Sequence, residues 1–258
     1  MTETAELPFP PDRADFDGKR ILITGAASGL GKATAELAAA VGGRVFCADI
    51  DEAGAVATAE AIGGYGMRAD VSSLDENRAM VAAAEDALGG VDHVYLNAGV
   101  ATGCGVGEDF DVELYRRANG ANLDGVVFGT HVTLPALARA GGGSIVATAS
   151  LAGLTSVPFD PLYAANKHAV VGLARSLGDG LAAQGIRFNA VCPGFAESKI
   201  IAPIREQLLE QGFSIIPAET VAATVLRLFS GTESGECWFV QPGREPAAFG
   251  FRNLPGPR

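Results

Sequence analysis

Short apolar runs alternate with longer stretches of helical spacing from one end of this sequence to the other. The runs are predicted to be strands buried on both faces, because their apolar residues do not alternate regularly with polar ones. The predicted strands are 20–24, 45–49, 67–70, 91–96, 144–148, 186–191 and 237–241. The predicted helical stretches are 30–41, 53–62, 75–88, 111–139 and a segment around 163–183. This pattern predicts the α/β class, with one doubly wound parallel sheet of about seven strands and helices on both faces.

Domain boundaries are read from composition. Nothing between residues 18 and 243 resembles a linker, so this range is predicted to be a single domain. Residues 1–17 are rich in proline and acidic side chains and are predicted to be a flexible arm. Residues 244–258 lack a helical pattern and are predicted to be a tail.

Charge and cysteine usage exclude several classes of function. The net charge is −11 and no basic run is present, which disfavours nucleic-acid binding, since that requires Lys and Arg against phosphates. No apolar run approaches the ~20 residues of a membrane helix, and the acidic N-terminus does not resemble a signal peptide. Cys47, Cys104, Cys192 and Cys237 lie too far apart for a zinc motif and are predicted to be reduced thiols. We therefore expect a cytoplasmic protein that binds no metal and no membrane.

A glycine-rich turn, Gly25-x-x-x-Gly29-x-Gly31, follows the first predicted strand and opens a helix. Gly25 allows a sharp turn, Gly29 lets backbone N–H groups approach a pyrophosphate, and Gly31 permits close helix packing. The positive end of the helix then faces the anion. The spacing is not the usual Gly-x-Gly-x-x-Gly, but its place between strand and helix predicts a dinucleotide site of the Rossmann type.

Asp49 ends the second predicted strand, about twenty residues after the glycine turn. A carboxylate at this offset can accept both hydroxyls of an adenosine ribose and would repel a 2′-phosphate. Ser28 stands in the turn where a basic residue would bind such a phosphate. The sequence therefore favours NAD over NADP, although an aspartate can also simply end a strand.

Tyr163 and Lys167 are four residues apart on a predicted helix, and Ser150 precedes the tyrosine by thirteen residues. Positions i and i+4 share a helix face, so the lysine can lie beside the phenol and lower its pKa. Taken alone, the pair could equally form a solvated helix face. The other motifs decide between these interpretations.

These residues, together with 96–99, Asn122 and 193–194, have the order and spacing of the classical short-chain dehydrogenases/reductases. The sequence resembles that family over about residues 18–243. The resemblance implies that Tyr163 is the general acid/base, that Lys167 lowers its pKa and holds the nicotinamide ribose, and that Ser150 bonds the substrate oxygen. It implies that Asn122 anchors a water in a proton relay, although Asn122 could instead satisfy backbone groups at a helix bend.

The same resemblance, with the glycine turn and Asp49, implies a cofactor site for NAD. Ser198 is expected near the nicotinamide carboxamide or phosphate, although it could instead cap a helix. The full expected set is Gly25, Ser28, Gly29, Leu30, Gly31, Asp49, Ile50, Asp70, Val71, Asn97, Ala98, Gly99, Tyr163, Lys167, Pro193, Gly194, Ala196 and Ser198.

The substrate is expected to be a secondary alcohol or ketone that is apolar or cyclic. Beside Ser150 and Tyr163, the expected lining is Leu154, Phe159 and Phe195, although these residues could instead pack a lid onto the sheet. The preferred function is an NAD-dependent alcohol dehydrogenase. The alternatives are an NADP-dependent carbonyl reductase and a nucleotide-binding regulatory protein without turnover.

The family resemblance also implies a homo-oligomer, either a tetramer or a dimer. The tail contains two phenylalanines, Phe249 and Phe251, whose position the sequence does not explain. We hypothesise that both contact a neighbouring subunit.

Overall fold

The computed structural model describes residues 7–252, which form one eight-stranded sheet with helices on both sides. The strands lie in the order β3-β2-β1-β4-β5-β6-β7-β8. They are β1 (Arg20–Thr24), β2 (Arg44–Asp49), β3 (Tyr65–Arg68), β4 (His93–Leu96), β5 (Gly143–Thr148), β6 (Ile186–Pro193), β7 (Cys237–Val240) and β8 (Ala247–Ala248). Strands β1 to β7 are parallel, and β8 pairs antiparallel with β7. The order reverses between β1 and β4, and the carboxyl ends of strands at such a point form a ligand-binding crevice.

Each predicted helical stretch is helical to within a few residues, and the structure adds helices at 13–16, 205–210 and 218–230. They are α1 (Arg13–Phe16), α2 (Gly29–Ala40), α3 (Glu52–Ile62), α4 (Leu74–Leu88), α5 (Val112–Asn119), α6 (Gly125–Arg139), α7 (Pro161–Ala182), α8 (Arg205–Glu210) and α9 (Ala218–Ser230). The helical region predicted over 111–139 is present, and a π-helical turn at Gly120–Asp124 within it separates α5 from α6.

The core lies on both faces of the sheet, as the apolar strands predict. On β1, Ile21, Leu22 and Ile23 are all fully buried. Leu22 packs in one cluster with residues of α4, α6 and α7, while Ile21 and Ile23 pack in the other with residues of α2 and α9. A strand covered on both faces is held in place firmly, so the loops at its carboxyl end have a fixed base.

The described part of the predicted arm, residues 7–17, contains a short helix that the sequence did not predict. Arg13–Phe16 forms α1, which Asp12 caps by accepting a hydrogen bond from the Ala14 N–H at 2.9 Å. The Phe16 side chain is buried, and the ring of Phe9 lies 5.8 Å from that of Trp238. These two aromatic rings fix the segment because they have apolar surface to bury. Residues 1–6 of the predicted arm lie outside the described residues.

The tail adds the eighth strand to the sheet, which the sequence did not predict. Its β8 pairs with β7 and thereby covers the edge of that strand. The Phe249 and Phe251 rings lie 4.9 Å apart, and the Arg175 guanidinium lies 3.9 Å from the Phe251 ring. Phe251 therefore contacts α7 of its own chain. Whether either ring also contacts another subunit stays a prediction.

Two further expectations concern membrane helices and the cysteines, and both can be compared with residues 7–252. No helix in this range is long and apolar enough to cross a membrane. Cys47, Cys192 and Cys237 are buried free thiols, as predicted for the strand cysteines, and Cys104 is partly exposed. The cytoplasmic location inferred from such thiols stays a prediction.

Candidate active site

The ends of β1, β4 and β5 are joined by polar side chains at the switch in strand order. The Asn97 N–H, just after β4, donates to the Thr24 hydroxyl at the end of β1 over 2.9 Å. The Thr148 hydroxyl at the end of β5 donates to Asn97 Oδ1 over 3.0 Å. Asn97 Nδ2 also donates to the Thr24 carbonyl at 3.1 Å. These bonds fix the floor of the crevice.

Tyr163 and Lys167 lie on the first turns of α7, beside that floor. Lys167 Nζ is 5.5 Å from the centre of the Tyr163 ring and donates to the Thr148 carbonyl at 2.7 Å. Ser150 follows β5, and its hydroxyl donates to the Pro193 carbonyl at 3.3 Å and accepts from the Ala152 N–H at 3.1 Å. A hydrogen bond with the Ser150 hydroxyl also lowers the pKa of the Tyr163 phenol. The structure thus brings the three predicted catalytic side chains together.

Burial, rather than the lysine, controls the ionisation of the phenol. Removal from water raises the pKa of Tyr163 to about 12, although the Ser150 hydroxyl acts in the opposite direction. Removal from water also lowers the pKa of Lys167 to about 8. In the protein alone, desolvation outweighs the effect of Ser150, so the phenol pKa lies above its ordinary value, and the role predicted for Lys167 stays a prediction.

Asn122 lies in the π-helical turn and is fully buried. Its Oδ1 accepts from the Val100 N–H at 2.8 Å, and its Nδ2 donates to the Val100 carbonyl at 2.9 Å. Asn122 thus binds the backbone of the loop after β4 instead of its own helix bend. A Cβ built on Gly99 would lie 2.8 Å from Asn122 Oδ1 and 3.7 Å from Lys167 Nζ, so both side chains border the same small space. The water-anchoring role stays a prediction.

The glycine turn has the backbone that the sequence predicts. Gly25 has a φ of 68° and Gly29 a φ of 52°, values in the left-handed region that glycine tolerates best. A Cβ on Gly31 would lie 2.1 Å from the Gly25 carbonyl oxygen, so only glycine allows α2 to start so close to β1. Among the described residues, Ser28 makes no capping bond with its side chain. The N–H groups of Gly29, Leu30 and Gly31 at this helix start therefore suit a phosphate.

Asp49 lies at the end of β2, against the glycine turn. Its Oδ2 accepts from the Ala27 N–H at 3.0 Å, and its Oδ1 accepts from the Asp51 N–H at 2.9 Å. Ile50, between the two aspartates, is 61% exposed at the adenosine end of the predicted site. These bonds fix the Asp49 carboxylate beside the glycine turn, with lone pairs left on both oxygens, and its contact with a ribose stays a prediction.

Asp70 and Val71, two of the predicted cofactor-binding residues, follow β3. Asp70 Oδ1 accepts from the N–H and the hydroxyl of Ser72, at 3.0 and 2.7 Å. The Val71 side chain is buried, and a Cβ built on Gly125 would lie 2.7 Å from its Cγ2. The close approach of α6 therefore holds this segment beside the sheet.

The loop after β6 crosses over the glycine turn. Gly194, after Pro193, donates to the Val240 carbonyl at 3.0 Å, and Ala196 forms a bridge with Ile216. Ser198 caps no helix with its side chain within residues 7–252, and its Cα lies 3.1 Å from a Cβ built on Gly29. The loop therefore closes the crevice from above.

Lys199 extends this crossing to the adenosine end, where sequence reasoning did not place it. Its Nζ lies 3.1 Å from Asp51 Oδ2, two residues beyond Asp49. A cation thus stands close to the predicted ribose site, with its charge opposed by the Asp51 carboxylate. The two residues are 148 positions apart, so no local sequence pattern could have joined them.

The predicted substrate lining is only partly brought together. Leu154 lines a cavity of about 250 Å³ with Leu151, Phe239 and the tail residue Phe249. Phe195 packs edge-to-face on Phe213, with ring centres 5.3 Å apart. Phe159 is 77% exposed, so it does not line an enclosed pocket in this structure, because it lies in the loop before α7.

Comparisons with known proteins show the family to which the chain belongs. Residues 19–209 match the family described as short chain dehydrogenase. The chain is 36% identical over 196 residues to cyclohexanol dehydrogenase of Acinetobacter sp. (strain SE19), covering 74% of this chain and 78% of that protein. It is 33% identical over 195 residues to 3beta-hydroxysteroid dehydrogenase 2 of Eggerthella lenta, covering 73% and 75%.

A solved structure extends the comparison to the fold. A short-chain type dehydrogenase/reductase from Mycobacterium marinum superposes with a TM-score of 0.82 at 28% identity, covering 89% of this chain and 96% of that one. The family match covers most of the residues that build the sheet, the glycine turn and the Ser150–Tyr163–Lys167 group. This chain belongs to the short-chain dehydrogenase family of oxidoreductases.

Proposed function

We propose that this protein is an NAD-dependent dehydrogenase that interconverts an apolar, cyclic secondary alcohol and its ketone. The observation that carries the proposal is the convergence of Ser150, Tyr163 and Lys167 at the carboxyl end of β5, with Lys167 Nζ 5.5 Å from the Tyr163 ring. A phenol beside a cation and a hydroxyl is suited to exchanging a proton with a substrate oxygen. A regulatory protein without turnover would have no need of this group.

The residues of the crevice fit a nicotinamide dinucleotide. The glycine turn and the start of α2 would hold the pyrophosphate, Asp49 the adenosine ribose, and Lys167 the nicotinamide ribose. When bound, the nicotinamide supplies the acceptor for a hydride from the alcohol carbon. The close approach of α2 at Gly31 supports the placement of the pyrophosphate at this helix start, because only glycine, which has no Cβ, fits there.

Within the chain, the chemistry is the movement of one proton. Ser150 would donate a hydrogen bond to the substrate oxygen, and Tyr163 would take the proton from that oxygen as the ketone forms. The pKa of Tyr163 is about 12 in the protein alone, so its phenolate needs further positive charge nearby. Lys167, whose pKa is about 8, is charged at neutral pH and supplies part of that charge.

The preference for NAD rests on two carboxylates. Asp49 and Asp51 both lie at the adenosine end and would repel a 2′-phosphate. Lys199 opposes this effect, but its ammonium group is already 3.1 Å from Asp51 Oδ2. The cyclic substrate is supported by the relative that acts on cyclohexanol and by the apolar side chains of Leu154 and Phe195.

The test is a comparison of kcat/KM for cyclic secondary alcohols with each cofactor. We expect activity with NAD to exceed activity with NADP by about tenfold or more, since a charged hydrogen bond contributes about 1.5–3 kcal/mol. Asp49→Asn should lower this ratio.

Tyr163→Phe should reduce kcat about a hundredfold or more while NADH still binds. Tyr65→Phe, at an exposed position on β3, should leave kcat unchanged. A clear preference for NADP, or full activity of Tyr163→Phe, would contradict the proposal.

A further inference from the structure

Asp160 stands at the start of the helix that carries the tyrosine. It is the N-cap of α7, and its Oδ1 accepts a hydrogen bond from the Tyr163 N–H at 3.0 Å. Pro161 follows at the first helical position, where its missing N–H costs nothing. The cap therefore fixes the backbone of Tyr163 itself, since the bond is made to that residue.

The second oxygen of the same carboxylate binds a different segment. Asp160 Oδ2 accepts from the Thr102 N–H at 3.3 Å. Thr102 lies in the loop between β4 and α5 and is completely buried. Asn122 holds the same loop two residues earlier, at Val100. One carboxylate thus links the tyrosine helix to the loop that borders the lysine and Asn122.

We propose that Asp160 is a positioning residue for the reaction at Tyr163, with one oxygen fixing the first turn of α7 and the other fixing the loop after β4. The proposal rests on the function proposed above. An aspartate is suited to this task because its two oxygens accept from two backbone N–H groups at once, whereas serine or asparagine offers one acceptor oxygen.

The charge of Asp160 has a second effect on the phenol. The titratable and charged groups that face Tyr163 within the described chain are Lys167, Cys192 and Asp160, and the Ser150 hydroxyl joins them. Burial is the main cause that raises the pKa of Tyr163, Ser150 lowers it, and the negative charge of Asp160 raises it further. The aspartate therefore holds the tyrosine in place and also restrains its ionisation.

Two substitutions separate these contributions. Asp160→Asn keeps a capping oxygen for the Tyr163 N–H, because asparagine caps helices as well as aspartate does, but it removes the charge and the bond to Thr102. Asp160→Ala removes the cap as well. Asp111 provides the matched control, because its Oδ1 caps α5 by accepting from the Glu113 and Leu114 N–H groups and its side chain bonds no second segment within residues 7–252.

We expect both Asp160 variants to lower kcat about tenfold, since small displacements of a catalytic group are costly, while Asp111→Asn and Asp111→Ala retain kcat. Both alanine variants should lose thermal stability, and Asp160→Asn should lose some as well because the buried Thr102 N–H loses its acceptor, whereas Asp111→Asn should not. The Tyr163 ionisation, measured as the phenolate absorbance that Tyr163→Phe lacks, should move to lower pH by about half a unit in Asp160→Asn.

A structural cap alone predicts a different result. It predicts that Asp160→Asn matches the wild type in kcat and in the Tyr163 titration, and this outcome would overturn the proposal. The titration needs no substrate, so it tests the role of Asp160 independently of the proposed function. An inactive wild-type protein would refute the proposed function, and an unchanged titration would separately refute the role of Asp160.

Discussion

At the residue scale, burial moves the pKa values of Tyr163 and Lys167 apart. The pKa of Tyr163 rises from 10.0 to about 12, and that of Lys167 falls from 10.5 to about 8. Both shifts favour the neutral form, as desolvation requires. At neutral pH the pair is therefore a neutral phenol beside an ammonium group, which can give a proton to a ketone oxygen more readily than it can take one from an alcohol.

The shift at Lys167 predicts how stability depends on pH. Between about pH 8 and 10.5 the unfolded chain holds the lysine proton more tightly than the folded one, so stability rises with pH. The sum over this window is on the order of 2 kcal/mol. Lys167→Met should remove the rise, as measured by urea unfolding between pH 8 and pH 10, below the range in which Tyr163 contributes.

Lys32 provides the control for this prediction. Its side chain is half exposed on α2, so Lys32→Met should leave the pH dependence of unfolding unchanged. An identical rise in the wild type and in Lys167→Met would mean that the ammonium group is not desolvated in the folded protein.

Several contacts at this scale could not be predicted, since they join residues distant in sequence. Asp160 and Thr102 are 58 positions apart, and Lys199 and Asp51 are 148 apart. The Tyr163–Lys167 pair was predictable because four residues on a helix share a face. The sign of the tyrosine shift was not, because it depends on how much of the phenol the folded chain removes from water.

At the element scale, the strands were predicted well because both faces of each central strand are buried. The helical region predicted over 111–139 is present, but the π-helical turn at Gly120–Asp124 inside it, which adds a residue to one turn, was not predicted. Gly120 and Gly125 flank this turn and pack on Ser72 and Val71. Asn122 lies in this turn and bonds the Val100 backbone in the loop after β4. The π-helical turn therefore coincides with the candidate active site.

The glycine turn yields a sharper prediction for one element. In Gly31→Ala the new Cβ would lie 2.1 Å from the Gly25 carbonyl and 2.8 Å from Asn97 Nδ2, so α2 must move away from β1. We expect a loss of about 1–3 kcal/mol in the free energy of unfolding, as for other overpacked sites. NADH affinity, measured by fluorescence titration, should fall about tenfold or more because the helix start no longer faces the phosphates.

Gly172→Ala is the matched change on another helix. Gly172 lies within α7, and a Cβ built there meets no atom within 4 Å in the described structure. Alanine should therefore stabilise the helix by about 0.5–1 kcal/mol and leave NADH binding unchanged. Equal NADH affinities for Gly31→Ala and Gly172→Ala would contradict the placement of the phosphate at the start of α2.

At the scale of the whole molecule, both ends of the domain pack against β7, which the sequence does not predict. Phe9 packs on Trp238 of β7, and β8 pairs along the open side of the same strand. Both segments have too little sequence pattern to be recognised, since a strand of two residues and a few aromatic side chains have no periodicity. Together they cover the last parallel strand, which would otherwise be an exposed edge.

The tail therefore has two possible roles, which truncation can separate. A chain that ends at Gly243 loses β8 and the packing of Phe251 on Arg175, so its free energy of unfolding should fall by about 1–3 kcal/mol.

If Phe249 and Phe251 also contact a neighbouring subunit, the same truncation should reduce the size of the oligomer, measured by light scattering. The rate of alcohol oxidation should then fall as well. A chain that ends at Arg252 keeps β8 and both rings, and is the reference with which the size and stability of the shorter chain are compared. An unchanged oligomer in the shorter chain would refute the subunit contact, while a fall in stability alone would leave the tail as the cover of its own sheet edge.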